Sequence, residues 1–476
     1  MNQEILKSTI RANKKQRRGL KSRLKQKKRR IHKQKHAQQN NRTHRKVEIE
    51  LNGDFSLENL IQQWMPRNII NIIRKEKSQF STDNLLKAAQ NADGKFLVPT
   101  IFSIVENPEP SYKFIKEVFG ALLFQTHDNI LMDYSLCERV DLGAQVLLDI
   151  IQLDILSFYS KCRRHKKTIP KVKNIGGRNV NNEDVLKMLF SVGSPAVLKG
   201  DKRDFPDIIP YNLCVYERPL TLDSTKPSRQ KDIDTTTLVD YVLDCLQRMD
   251  KFLTSEKLDD LCTVISEILI NAEEHSSNQK RFSIGYFQET NNIEAHFGVF
   301  RLAILNFGDN IYSKFKDPDC PNKEIVKRME QLSKNYTERK LFYRKKFEEE
   351  TLWTLYSLQE GVTSVSKNMY KKRGHGSIRF IESFFNIKGS QAADDISQMA
   401  ILSGNTSIIF DGRYEIINKH DDNGQKFQVM TFNDSGNINE APDENYVKFM
   451  KEDFPGTMIS AKILFNEDDF EHEIES

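Results

Sequence analysis

A chain of 476 residues, 38% hydrophobic and 29% charged, has material for two or three packed cores, which excludes a single small module. Its formal net charge of +6 conceals two populations: residues 1–46 hold 18 Lys or Arg against one acid, Glu4, a net +17 that leaves −11 for the rest. The basic pI therefore belongs to a tail, which excludes a uniformly basic chain.

The six cysteines, Cys137, Cys162, Cys214, Cys245, Cys262 and Cys320, form no C-x-x-C pair and have no His at finger spacing, as expected of reduced intracellular thiols. No apolar run reaches the roughly 18 residues needed to cross a bilayer. The N-terminus carries charge where a signal peptide needs its apolar segment. These features predict a soluble, cytoplasmic protein with no membrane partner.

Taken in chain order, residues 1–46 lack core-forming side chains and repel themselves, which predicts a disordered basic tail. Such a tail is either a phosphate-backbone clamp for RNA or DNA or a solubilising or targeting segment, and the absence of interleaved aromatics argues against specific base stacking. Residues 47–90, with "LENLIQQWMPRNIINIIRKEK" and "TDNLLKAAQ", read as a helical connector. From 91 to 217 strand-like and helix-like segments alternate: "FLVPTIFSI", "PSYKFIKEVFGALLFQ", "NILMDYS", "GAQVLLDIIQLDILSFYSKC", "TIPKVKNIG", "NEDVLKMLFSVG" and a closing strand "IIPYNLCVYE". That alternation predicts an α/β layer.

Within it, "ILMDYSLCERVDLGAQVLLDIIQ" followed by "IPKVKNIGGRNVNNEDVLKMLFSVG" resembles the STAS-like fold, in which an Asp-containing turn leads from a central strand into a helix. In the anti-sigma-antagonist members a phosphorylatable Ser follows that Asp. Here Asp141 is followed by Leu142, Gly143 and Ala144, so the resemblance implies the fold without the phosphoswitch, and a generic α/β domain stands beside it.

Residues 236–476 open with two helices. In the second, Leu261, Val264, Ile265, Ile268 and Ala272 follow the i, i+3, i+4, i+7 rule of a buried face, while Glu267, Asn271 and His275 climb its edge at intervals of four. Strands follow, then the turn "LNFGDNI" with Asn306, Gly308 and Asn310, a long charged insert at about 312–373, the turn "KKRGHGSI", and terminal strands including "FPGTMISAKILF". This order resembles the GHKL (Bergerat) ATPase fold shared by histidine kinases, gyrase, Hsp90 and MutL, and it implies an α/β sandwich that binds ATP and Mg²⁺.

The resemblance assigns roles by position. Asn271 supplies a hard amide oxygen to Mg²⁺, Glu267 orients or deprotonates the nucleophile, and His275 contacts phosphate or steadies the lid. Asn306 stands where the family has the adenine-binding Asp, with Gly308 letting the backbone pass the base and Thr457, after Gly456, backing it up. Gly374 and Gly376 form the second glycine turn, whose free N–H groups near Ser377 and Ile378 cradle phosphate beside Lys372 and Arg373.

Three functions remain open. The first is an ATPase that closes the insert as a lid and switches between interaction states, with a protein partner or a homodimer as its output. The second is a kinase of the histidine-kinase or anti-sigma-factor type, and the third a nucleic-acid-binding scaffold with a degenerate site. The length and charge of the insert favour the switch, and a role in bacterial defence or stress response follows only by analogy with the domain pairing.

Overall fold

The computed structural model describes residues 64–73, 78–92, 94–165, 174–197, 205–217, 229–274, 280–290, 298–337, 347–362, 376–387, 397–420, 424, 426–465 and 467–471. The basic tail, the first part of the connector, His275, Lys372, Arg373 and Gly374 lie outside them.

The chain enters through two helices, α1 (Arg67–Ile73) and α2 (Thr82–Asn91), followed by short strands β1 (Phe96–Leu97) and β2 (Ile101–Phe102). Helix α3 (Pro108–Phe124) begins on Pro108, where a missing N–H costs nothing, and ends on Gln125 in the left-handed conformation. Strand β3 (Asn129–Asp133), strand β4 (Arg139–Val140), helix α4 (Leu142–His165), strand β5 (Asn174–Arg178) and helix α5 (Glu183–Ser191) complete this layer. Strands β1, β3 and β5 form a parallel sheet in that order, and β2 pairs parallel with β4. Parallel neighbours require helical crossovers, which α3 and α4 supply. The expected α/β alternation is present.

Helix α4 is the apolar centre of this layer. Its stretch Leu142–Arg164 is the one helix among the described residues long and apolar enough to span a bilayer, and 78% of its 18-residue apolar window is buried inside the fold. A polar network crosses it: Tyr134 donates to Gln145 Oε1 (3.1 Å), and Asp149 Oδ1 accepts from Gln145 Nε2 (2.8 Å) and Ser194 Oγ (3.1 Å). Burial pushes the Asp149 carboxyl up to about 7, against the pull of these two hydrogen bonds. Helices α2 and α3 touch so closely that a Cβ on Gly120 would lie 2.2 Å from the carbonyl oxygen of Leu85.

The second layer is a five-stranded antiparallel sheet of β6 (Ile208–Glu217), β7 (Lys280–Glu289), β8 (Gly298–Phe307), β9 (Gln398–Phe410) and β12 (Val447–Phe465), in the order β6-β7-β8-β12-β9. Strand β6 is the "IIPYNLCVYE" segment expected to close the first layer; instead it pairs with β7 and buries Tyr211 in the core of the second. Helices α6 (Arg229–Gln247), α7 (Ser255–Glu274) and α11 (Gly376–Asn386) cover one face, with α7 in the middle. The predicted apolar face of α7 is buried as expected, Leu261, Val264, Ile265, Ile268 and Ala272 all being at most 2% exposed. Each such Leu, Ile or Val contributes about 1.5–3 kcal/mol of transfer free energy. Arg281, itself buried, ties the helices to the sheet through an ion pair with Asp234 and a bond to the Leu269 carbonyl.

The other face of the sheet is covered too. Helices α1, α3 and α4 pack on β8 and β12, and Gln79 exchanges two hydrogen bonds with the backbone of Asp453, where β12 bulges. Residues Leu60–Ser476 thus form one compact unit across the boundary expected between 217 and 236.

The charged insert is more built in than its sequence implied. It contains α8 (Ile311–Lys316), α9 (Lys323–Thr337) and α10 (Glu349–Ser357). Leu352, Trp353, Leu355 and Tyr356 of α10 are buried against β9 and β12, and Trp353 Nε1 donates to Ser333 Oγ at 3.1 Å. A small hairpin, β10 (Ile417–His420) with β11 (Lys426–Val429), lies between β9 and β12 in sequence.

Candidate functional site

The C-terminal half of α7, the end of β8, the glycine turn of β12 and the start of α8 meet at one end of the second layer. Strands β8 and β12 pair with Thr457 opposite Asn306 and Gly456 opposite Phe307. Only glycine fits at 456, where φ is 154° and a Cβ would stand 2.2 Å from the Asn306 carbonyl oxygen. Gly308, at φ 133°, turns the chain out of β8 and donates its N–H to the Pro455 carbonyl at 3.0 Å.

Asn306 is the hub of this junction. Its Nδ2 donates to the carbonyl oxygen of Ala272 on α7, and its Oδ1 accepts from Thr457 N at 3.3 Å. It is 0% exposed. The side chain expected to face a base instead fastens the middle helix to two strands. Thr457 is equally enclosed: its hydroxyl lies 2.9 Å from Ser403 Oγ, which also accepts from Ile311 N at 2.9 Å. Asn310, in place of the second glycine of the turn, caps α8 by accepting from Ser313 N and donates to Glu350 Oε1 at 3.1 Å. Glu350 Oε1 accepts again from Asn405 N at 2.9 Å, so α10, β9 and the turn share one carboxylate.

The polar stripe of α7 behaves differently. Glu267 and Asn271 are half-buried, on the edge of a helix whose other residues fill the core. Asn271 directly precedes Ala272, the residue whose carbonyl Asn306 holds, so this turn of the helix is fixed from behind. Gly376 opens α11, which packs along α7, and Ser377 follows it in the first turn. The structure therefore brings together Glu267, Asn271, Asn306, Gly308, Thr457 and the start of α11 by adjacency of their elements. The sequence reading missed Ser403 and Glu350, which lie 40 to 92 residues from their partners and have no pattern of their own; buried hydroxyls and carboxylates that serve backbone N–H groups leave no periodic trace.

Comparison with protein-family models, with curated proteins and with solved structures found no match.

The donor set divides in two. A neutral amide oxygen at Asn271, one helical turn from a carboxylate at Glu267, fits a hard cation that keeps most of its waters and takes the rest of its ligands from phosphate oxygens. The Asn306 end does not fit an adenine as it stands, since both atoms of its amide are engaged inside the fold.

Proposed function

We propose that the chain is a nucleotide-binding protein whose triphosphate end rests along α7 and the start of α11, acting as an ATP-dependent switch of the GHKL type. The observation that carries this reading is the convergence of Asn271, the β8 turn at Gly308, the β12 turn at Gly456 and the first turn of α11. These four come from segments far apart in sequence, in the order the GHKL resemblance implies. Asn271 would hold Mg²⁺ and Glu267 would orient the attacking water; the bound metal would supply charge neutralisation for the phosphates. The N–H groups in the first turn of an eleven-residue helix are suited to phosphate oxygens.

A second reading, a scaffold without nucleotide turnover, is favoured by one observation: Asn306 and Thr457 spend their polar atoms on internal bonds. A direct experiment separates the readings. The full-length chain is incubated with γ-labelled ATP and Mg²⁺, and free phosphate and protein-bound label are followed in the parent and in Glu267→Ala. The switch predicts slow release of free phosphate that Glu267→Ala abolishes while ATP stays bound. Label transferred to protein would support a kinase, and neither product would support the scaffold.

A further inference from the structure

The sheet face opposite α7 changes character along its strands. In β8 the period of two sends Phe300, Leu302 and Ile304 into the core beneath the helices and leaves Arg301, Ala303 and Leu305 on the outer face. At one end this face carries the row Leu305–Met458–Leu402, and the start of α4 sits on it, where a Cβ on Gly143 would lie 2.5 Å from Met458 Cε. Two residues along, the row is small: Ala303, Ser460, Ala400. After two more it is polar, with Tyr286, Arg301, Lys462 and Gln398 side by side on four strands.

Over the small and polar rows lies a cavity of about 750 Å³. This sheet face is its floor, and β4, the start of α4 and α5 are its roof. The size is that of a small-molecule site. Its charges are sorted by wall. The roof also holds Arg139 and Lys187, but these are paired with Glu106 and with Asp207 (2.9 Å). That leaves Glu138, Asp141 and Asp184 as roof carboxylates without an ion pair among the described residues, facing a floor with Arg301 and Lys462. Asp141 Oδ1 accepts from Gly143 N at 3.3 Å. The Arg301 guanidinium has five donors but makes one hydrogen bond, to Gln288 Oε1 at 3.3 Å, and lies over the Tyr286 ring; among the described residues no carboxylate pairs with it.

We propose that this cavity binds a small linear zwitterion, its oxyanion on Arg301, beside Lys462, and its ammonium beneath Asp141 and Asp184. A plain anion would meet the roof carboxylates and a plain cation the floor, whereas a dipolar ligand satisfies both walls. From the Met458 row, where α4 begins, to the Lys462 row is four strand residues, so the charged ends should stand within roughly 13 Å of one another. That is the span of a short peptide or an aminoalkyl phosphate. The site lies on the face of the sheet away from α7 and does not depend on the nucleotide reading.

Calorimetric titration of the full-length chain with triglycine tests this. The expected result is saturable binding that weakens about tenfold or more when the probe is N-acetyltriglycine, which lacks the ammonium, or triglycine amide, which lacks the carboxylate. Arg301→Gln should reproduce the loss seen with triglycine amide. Urea unfolding checks that this variant is folded, and Lys462→Gln replaces it if it is not. Asn271→Ala, in the nucleotide site, should bind triglycine like the parent. Tighter binding of aminohexyl phosphate than of triglycine would support the proposal and identify the oxyanion as phosphate. Absence of saturable binding by both zwitterions, or equal binding of triglycine and its two capped forms, would overturn it.

Discussion

Replacing Asn306 by Asp introduces the residue that the GHKL resemblance leads one to expect, and the structure predicts that the fold rejects it. The Asn306 amide works in both directions, donating to the Ala272 carbonyl and accepting from Thr457 N, at a point with no solvent contact. A carboxylate keeps the second bond but sets one oxygen against another at Ala272, and it buries a charge for which the described residues supply no ion pair. An uncompensated buried charge costs about 3–5 kcal/mol. Protonation relieves this, because a carboxylic acid can donate to Ala272. The folded pKa of Asp at 306 should therefore rise above its unfolded value of about 3.9, so the variant approaches the parent as pH falls and loses stability as pH rises towards 8. Asn306→Ala removes both bonds at any pH and should cost roughly 2–5 kcal/mol without pH dependence, from two stranded backbone groups. Urea unfolding followed by tryptophan fluorescence is a suitable assay, since Trp353 is wholly buried in this part of the molecule. Asn306→Asp as stable as the parent at pH 8 would refute the reasoning, because it would mean that the amide is not committed to Ala272.

Asp149→Asn should flatten the pH dependence of stability. The parent group has its folded pKa pushed by burial from 3.8 to about 7, so its contribution is full below about pH 4 and is lost as pH rises to about 7, on the order of 4 kcal/mol at most. Unfolding at pH 5 and pH 8 would show it, and an unchanged slope in the variant would argue against a protonated Asp149. Gly120→Ala should destabilise by more than about 2 kcal/mol, because its Cβ would meet the Leu85 backbone at 2.2 Å; a neutral effect in thermal unfolding would mean that α2 and α3 are not so closely apposed. Deleting residues 1–46 should leave the unfolding transition in place and abolish any salt-sensitive retardation of RNA or DNA, and equal retardation by both forms would remove the tail from that role.

How legible the molecule was depended on the range of the interaction. Over its described residues helix α7 was read correctly, buried face and the half-buried Glu267 and Asn271 alike, because the 3.6-residue period is a local signal. The parallel α/β alternation of the first layer was legible for the same reason. Strand β6 was assigned to the wrong layer: its sequence says that it is a strand, but its partner β7 begins more than sixty residues later. The insert read only as a long charged lid because α9 is so charged, whereas the short apolar stretch around Trp353 that anchors α10 is diluted by its neighbours. At the candidate site, Asn306 read as a ligand-facing residue. What fixes it is a backbone carbonyl on α7, which no side-chain pattern announces. Arg301 and Lys462 were detectable in principle, each being the single charge inside an otherwise apolar strand run, "GVFRLAILNF" and "TMISAKILF".

The nucleotide reading rests most directly on Asn271. Titration of the full-length chain and of Asn271→Ala with ATP, each with and without Mg²⁺, should give saturable binding that Mg²⁺ strengthens in the parent and that the variant loses by about tenfold or more. Failure of the parent to bind ATP, or an identical Mg²⁺-dependent affinity in Asn271→Ala, would contradict the assignment of this site.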